Sequence, residues 1–127
     1  MTTYHDFGAG PVLAHQHSNG GGWVADTATV ADTAYIGSDA KVSGSARVFG
    51  GARVYGNARV YDNARVSGSA KVYDDAQVFG DAQVFGDAWV SGDAWVSGSA
   101  LVSGDAWVSG SALVSGNALV FGNAWVS

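Results

Sequence analysis

The sequence predicts an all-β solenoid of short strands wound into stacked coils, and two columns of side chains predict it. Val24, Val30, Ile36 and Val42 open a run in which every sixth residue to Val126 is aliphatic, eighteen positions with no slip. Ala28, Ala34, Ala40 and every sixth residue to Ala124 run beside it, two positions before each aliphatic. Units repeating this strictly bury their apolar residues only by stacking on their neighbours. An amphipathic helix would instead space its apolar positions at about 3.6 residues, and pentapeptide solenoids repeat every fifth residue.

Residues 1–22 come first and do not follow the repeat. Gly8–Pro11 and Asn19–Gly22 are turn-like, and Tyr4, Phe7, Val12 and Leu13 are the side chains expected to cover the first coil. This segment is expected to be an N-terminal cap, because solenoids must hide an open core and unpaired strand edges. His15 and His17, one residue apart, could reach a metal, but as two histidines they are more simply polar cap residues. Met1–Gly22 has neither a basic start nor a long apolar stretch, so it does not read as a secretory signal. No run approaches the roughly 20 apolar residues of a membrane span. The expected location is cytoplasmic or virion-associated.

Residues 23–127 form the second unit, all of it repeat. Within each hexad, Ala and the aliphatic two positions later share one face of a strand, because side chains alternate with period two. They point inward, and the residues just before and just after the aliphatic point outward. The Gly that follows tolerates positive φ, and the Ser, Asp or Asn after it bonds to nearby backbone, so each hexad is one strand and one corner. The chain has no Cys, which excludes a disulfide frame and a thiolate site.

From residue 44 onward the unit reads Gly (or Asp), then Ser, Asp, Asn or Gly, then Ala-x-Val and Ser, Phe or Tyr. This resembles the bacterial hexapeptide-repeat family, whose motif is aliphatic-x-x-x-small-x. The resemblance covers residues 24–127. It implies a left-handed parallel β-helix with three hexads per triangular coil, hence about six coils. The period alone would also allow two hexads per turn, and left-handed crossovers run against the usual preference. Six coils at roughly 4.8 Å each would make a prism about 29 Å long. Gly21–Val24 (Gly-Gly-Trp-Val), Gly56–Val60 and Gly122–Val126 also resemble short hexapeptide-repeat proteins common in phages and bacterial genomes, which implies a layout and no activity.

Enzymes of the hexapeptide-repeat family are mostly acyltransferases, with a His near a coil junction as base, a protruding loop, and acyl-CoA held between subunits. This chain departs from that pattern. It has no His after residue 17 and no interruption of the hexads. No Ser/His pair can be placed on the coils, and no three His converge as the family's zinc carbonic anhydrases need. The expectation is a non-enzymatic protein with no catalytic residue, no cofactor and no metal. Corner carboxylates stacked as Asp75 over Asp93 and Asp87 over Asp105 could suggest calcium, but calcium takes about 6–8 oxygens, and Ser and Asn at other corners point to plain turn chemistry.

Function is expected on the outward positions. With eighteen residues per coil, the residue before each aliphatic forms three columns. One runs Trp23, Lys41, Arg59, Gln77, Trp95, Leu113; another Thr29, Arg47, Arg65, Gln83, Leu101, Leu119; the third Tyr35, Arg53, Lys71, Trp89, Trp107, Trp125. All six cations of the chain, Lys41, Arg47, Arg53, Arg59, Arg65 and Lys71, therefore make a basic belt, while all eleven acids are Asp and the net charge is −5. Trp89, Trp95, Leu101, Trp107, Leu113, Leu119 and Trp125 make an apolar band. Four Trp at about 150–250 Å² each, with three Leu, come to roughly 1,000 Å². Monomers seldom expose contiguous patches above roughly 300–600 Å².

The band is therefore expected to join copies of the chain, and the chain to be a structural, self-assembling homo-oligomer. Asn123–Ser127 is an ordinary hexad with no cap pattern, so end-on stacking through the last coil is a further expectation. The alternative is a module whose Trp89–Trp107–Trp125 ladder stacks on a glycan or another flat ligand, with Ser91, Ser109 and Ser127 beside it. The belt with Tyr55, Tyr61 and Tyr73 could in principle hold nucleic acid, but an acidic chain argues against that. Stacked Arg and Lys on exposed sheet surfaces also oppose edge pairing and aggregation, and Asp62, Asp74 and Asp75 at nearby corners could pair with them. Ice binding would want ranks of Thr, and only Thr27, Thr29 and Thr33 cluster.

Overall fold

In the computed structural model, which describes residues 3–8 and 10–127, the chain is all β among the described residues. Met1, Thr2 and Ala9 of the expected cap lie outside them. Strand β1 (Tyr4–Asp6) and strand β2 (Pro11–Gln16) form an antiparallel hairpin, and β2 pairs antiparallel with β3 (Trp23–Ala25). From Thr29–Val30 to Trp125–Val126, every hexad then contributes one two-residue strand.

These strands assemble into three parallel sheets, because each pairs with the strand eighteen residues away. Lys41 lies opposite Arg59, Arg47 opposite Arg65, and Arg53 opposite Lys71. Three hexads per coil follow from that register. The first face carries β3 and the strands of Lys41, Arg59, Gln77, Trp95 and Leu113; the second starts at Thr29 and the third at Tyr35. About six coils stack into the solenoid.

The core is the two inward columns. Val and Ala from Ala34 to Val108 are fully buried, with Ile36 the largest side chain among them. Removing methyls from one such Val would cost about 1–3 kcal/mol, since the stacked coils leave little room to collapse. The backbone is satisfied from coil to coil: Arg47 and Phe49 donate to Ala64 and Val66 of the next coil, at 2.9 and 3.0 Å. Corners close with short turns such as the amide of Ala46 donating to Ser43, and the Gly in them has positive φ.

The N-terminal segment covers strand edges by two devices. The hairpin extends the first face. The link after it lies along the first strand of the third face, where Ile36 donates to Asn19 and Gly22 donates to Ile36, at 3.0 and 2.9 Å. A Cβ on Gly20 or Gly22 would collide with Ile36, so only glycine lets the link lie this close. Ala14 and His17 are the buried side chains here, whereas Tyr4, Val12 and Leu13 are exposed. His17 is held by Nε2–H donating to the Ala34 carbonyl at 2.8 Å.

Candidate functional site

The outward columns carry the candidate site, and the register puts every member where the hexad rule requires. Trp89 pairs with Trp107 and Trp107 with Trp125; Trp95 pairs with Leu113 and Leu101 with Leu119. The indole rings of Trp89 and Trp107 stack at 4.7 Å with planes 8° apart, and those of Trp107 and Trp125 at 4.9 Å and 2°. Stacking half-buries Trp89 and Trp107, and Leu101 is half-buried too. Trp95, Leu119, Leu113 and Trp125 expose 45, 61, 69 and 73% of their surface.

The ladder extends beyond the tryptophans through residues on the other side of each Val. Tyr55 stacks on Tyr73 at 5.0 Å, and Tyr73 meets Trp89 edge-on at 6.1 Å, so five rings run unbroken from Tyr55 to Trp125. On the first face, Tyr61 stacks on Phe79, which meets Trp95 edge-on. The sequence signal is a size rule across the aliphatic. Arg53 and Lys71 sit two residues from Tyr55 and Tyr73, whereas Trp89 and Trp107 sit two residues from Ser91 and Ser109. One bulky ring per strand fills the face, and it changes sides between Tyr73 and Trp89. Burial in these stacks raises the hydroxyl pKa of Tyr55 and Tyr61, with Tyr73 and Asp74 adding to the first and Asp62 to the second.

The basic belt is exposed at Arg47, Arg53, Arg59 and Arg65 and half-buried at Lys41 and Lys71. Its members do not pair with the corner acids. Asp62 and Asp74 occupy the glycine position of their corners with φ of 59 and 60°, and their Oδ2 atoms accept from the amides of Gly80 and Gly92 at 3.2 and 3.1 Å. The carboxylate of Asp75 accepts from Asn57 at 3.3 Å. Among the described residues the one ion pair is His15 Nδ1 with Asp26, at 2.8 Å. The coil stacking instead offers each carboxylate a backbone or amide donor directly in line. Lys71 instead lies over the Trp89 ring, 4.9 Å from its centroid.

His15 and His17 do not converge: the first is exposed against Asp26 and the second is buried against Ala34. His5 stacks on Trp23 at 4.6 Å and meets Phe7 edge-on, and its pKa is lowered by burial and then by Lys41. Thr27 and Thr33 donate their hydroxyls to Gly44 and Gly50 of the next coil. No helix among the described residues is long and apolar enough to cross a membrane.

Fold and surface together define a β-solenoid repeat protein: a uniform core behind a patterned outside. In keeping with that class, the family model described as YdcK Beta solenoid repeat matches the chain at residues 52–62, 58–74, 76–92, 82–98 and 112–127. The chain is similar to that repeat over part of the belt, from Arg53 to Lys71, and part of the Trp band. No curated protein and no solved structure gives a match.

Proposed function

We propose that the chain is a non-enzymatic structural module that associates with copies of itself through the Trp/Leu band. One observation carries this reading. From Trp89 to Trp125, every outward residue flanking a Val on the flat faces is Trp, Leu, Ser or Phe, and charge is confined to corner Asp93 and Asp105. The first half of the same solenoid bears Lys or Arg on all three faces, the usual device against edge-to-edge and face-to-face aggregation. A flat, uncharged, aromatic-rich face suits a partner of the same kind, and a specific interface needs only about 800 Å² per copy. The ladder geometry favours this over a glycan. Sugars stack on ring faces, and the faces of Trp89 and Trp107 are turned toward one another at 4.7 Å.

The test is the mass of the purified chain by light scattering across a concentration series. Trp95→Arg with Leu113→Arg should convert oligomer to monomer. Arg is compatible with the fold there, because Arg59 occupies the same column two coils before Trp95 and three before Leu113. A wild-type chain that stays monomeric at high concentration sinks the reading. Saturable binding of soluble glycans that shifts tryptophan fluorescence would replace it with the ladder-as-lectin alternative.

A further inference from the structure

The belt contains a built cleft on the first face. Beside the N-terminal hairpin, Phe7 and Gly8 join Lys41, Arg59, Tyr61 and Asp62, among others, in lining a cleft of about 400 Å³. That volume lies within the range of small-molecule sites, roughly 300–1,000 Å³. The three stacked cation pairs of the belt differ in surroundings. Arg47 and Arg65 are exposed, and Lys71 of the third pair lies over Trp89. Lys41 and Arg59 both line the cleft.

Both side walls of the cleft are braced. The Tyr61 hydroxyl donates to Gln77 Oε1 at 2.9 Å, and its ring stacks on Phe79 at 4.9 Å. Phe7 packs edge-on against His5 at 4.6 Å, and His5 stacks on Trp23. Two like charges held opposite each other across a ladder repel. Neither cation is ion-paired: no Lys or Arg ion pair occurs among the described residues, and Asp62, which also lines the cleft, turns Oδ2 to the Gly80 amide. Anions that bridge such a pair gain charge-assisted hydrogen bonds and remove the repulsion. Asp74 and Asp75, outside the cleft, oppose a long polyanion laid along the belt, which leaves a compact ligand.

We propose that this cleft binds a small aromatic oxyanion, an aryl phosphate or aryl carboxylate, with the oxyanion between Lys41 Nζ and the Arg59 guanidinium and the ring between Phe7 and Tyr61. The site is independent of the Trp/Leu band and stands or falls apart from self-association. Burial, and then Lys41, lower the pKa of the neighbouring His5, and the cations that line the cleft are Lys41 and Arg59.

Calorimetric titration of the full chain tests this with phenyl phosphate, benzoate, inorganic phosphate and phenol. Phenyl phosphate or benzoate should bind saturably at one site, and the tighter of the two names the anion class. Inorganic phosphate and phenol should each bind about tenfold more weakly or worse, a loss of about 1.4 kcal/mol. Lys41→Gln and Arg59→Gln should each weaken the aromatic anions by about tenfold or more. Both variants should fold, because Gln77 continues this same column. Phe7→Ala should erase the advantage of phenyl phosphate over inorganic phosphate. Absence of saturable binding by both aromatic anions overturns the proposal. So does binding that is unchanged in the two Gln variants, or equal affinity for phenyl phosphate and inorganic phosphate.

Discussion

Lys71 Nζ lies 4.9 Å from the centroid of the Trp89 ring, so the last cation of the belt rests on the first indole of the band. The same Lys71 lies opposite Arg53, a like charge, on its other side. The two contacts have opposite sign and different salt dependence. Cation–π attraction is worth about 0.5–1 kcal/mol at an exposed site. Repulsion between exposed charges on adjacent strands is screened as the Debye length falls from about 30 Å at 0.01 M salt to about 3 Å at 1 M. Lys71→Gln should therefore be nearly neutral at low salt and destabilise by about 0.5–1 kcal/mol at high salt. Urea unfolding at the two salt concentrations measures this; destabilisation that shrinks with added salt would contradict it.

Trp107 stacks on Trp89 below and Trp125 above, at 4.7 and 4.9 Å. Leu stands in the corresponding position of the other two faces, at Leu101 and Leu113, so Trp107→Leu keeps an accepted residue and loses two ring contacts. The expected loss is about 1–3 kcal/mol, at 0.5–1.5 kcal/mol per aromatic pair beyond area burial. Exciton coupling between the indoles in circular dichroism should collapse in the same variant. An unchanged spectrum would mean that the ladder is not formed in solution.

The period made the core, the eighteen-residue register and all three outward columns legible, because each follows from alternation along a strand and one corner per hexad. Three features were not legible in it. The cap works through backbone pairing of Asn19 and Gly22 with Ile36, and glycine in a short link carries no apolar signal, so the exposed Tyr4, Val12 and Leu13 looked like the better cover. The aromatic ladder crosses from Tyr73 to Trp89, from one side of the aliphatic to the other, and a column followed at a single hexad position misses the crossing. Asp62 and Asp74 looked like partners for the belt, but they stand where other hexads have glycine, and the backbone amide one coil on is nearer than any cation.

The corner column Gly44, Asp62, Gly80, Gly98, Gly116 supplies a graded test of that last point. Gly98 has φ of 64°, and a Cβ there would lie 2.7 Å from the Gly116 amide nitrogen. Gly98→Ala should cost about 1–3 kcal/mol through left-handed backbone and this close approach. Gly98→Asp should cost less, although Asp is larger, because its carboxylate can accept from the Gly116 amide as Asp62 accepts from Gly80; such a bond returns about 1 kcal/mol. Thermal unfolding of the three chains should rank them Gly, then Asp, then Ala. Ala above Asp would show that the carboxylate contact contributes nothing.

Alkaline pH should loosen the ladder at the tyrosines. Burial, followed by neighbouring groups of negative or ionisable character, raises the hydroxyl pKa of Tyr55 and Tyr61 above the ordinary 10.0. In the unfolded chain both hydroxyls ionise near pH 10, while in the folded chain they still hold their protons. The folded state then binds more protons than the unfolded one, so stability falls as pH rises. The stabilising contribution is complete below pH 10 and is lost between there and the raised folded values. The melting temperature should be flat from pH 8 to 9 and drop above about 10. Tyr55→Phe with Tyr61→Phe should reduce that drop, and the rings should still stack, since Phe79 already holds a place in the same column beneath Trp95. A double variant that loses stability above pH 10 as steeply as the wild-type chain would assign the alkaline transition to other groups.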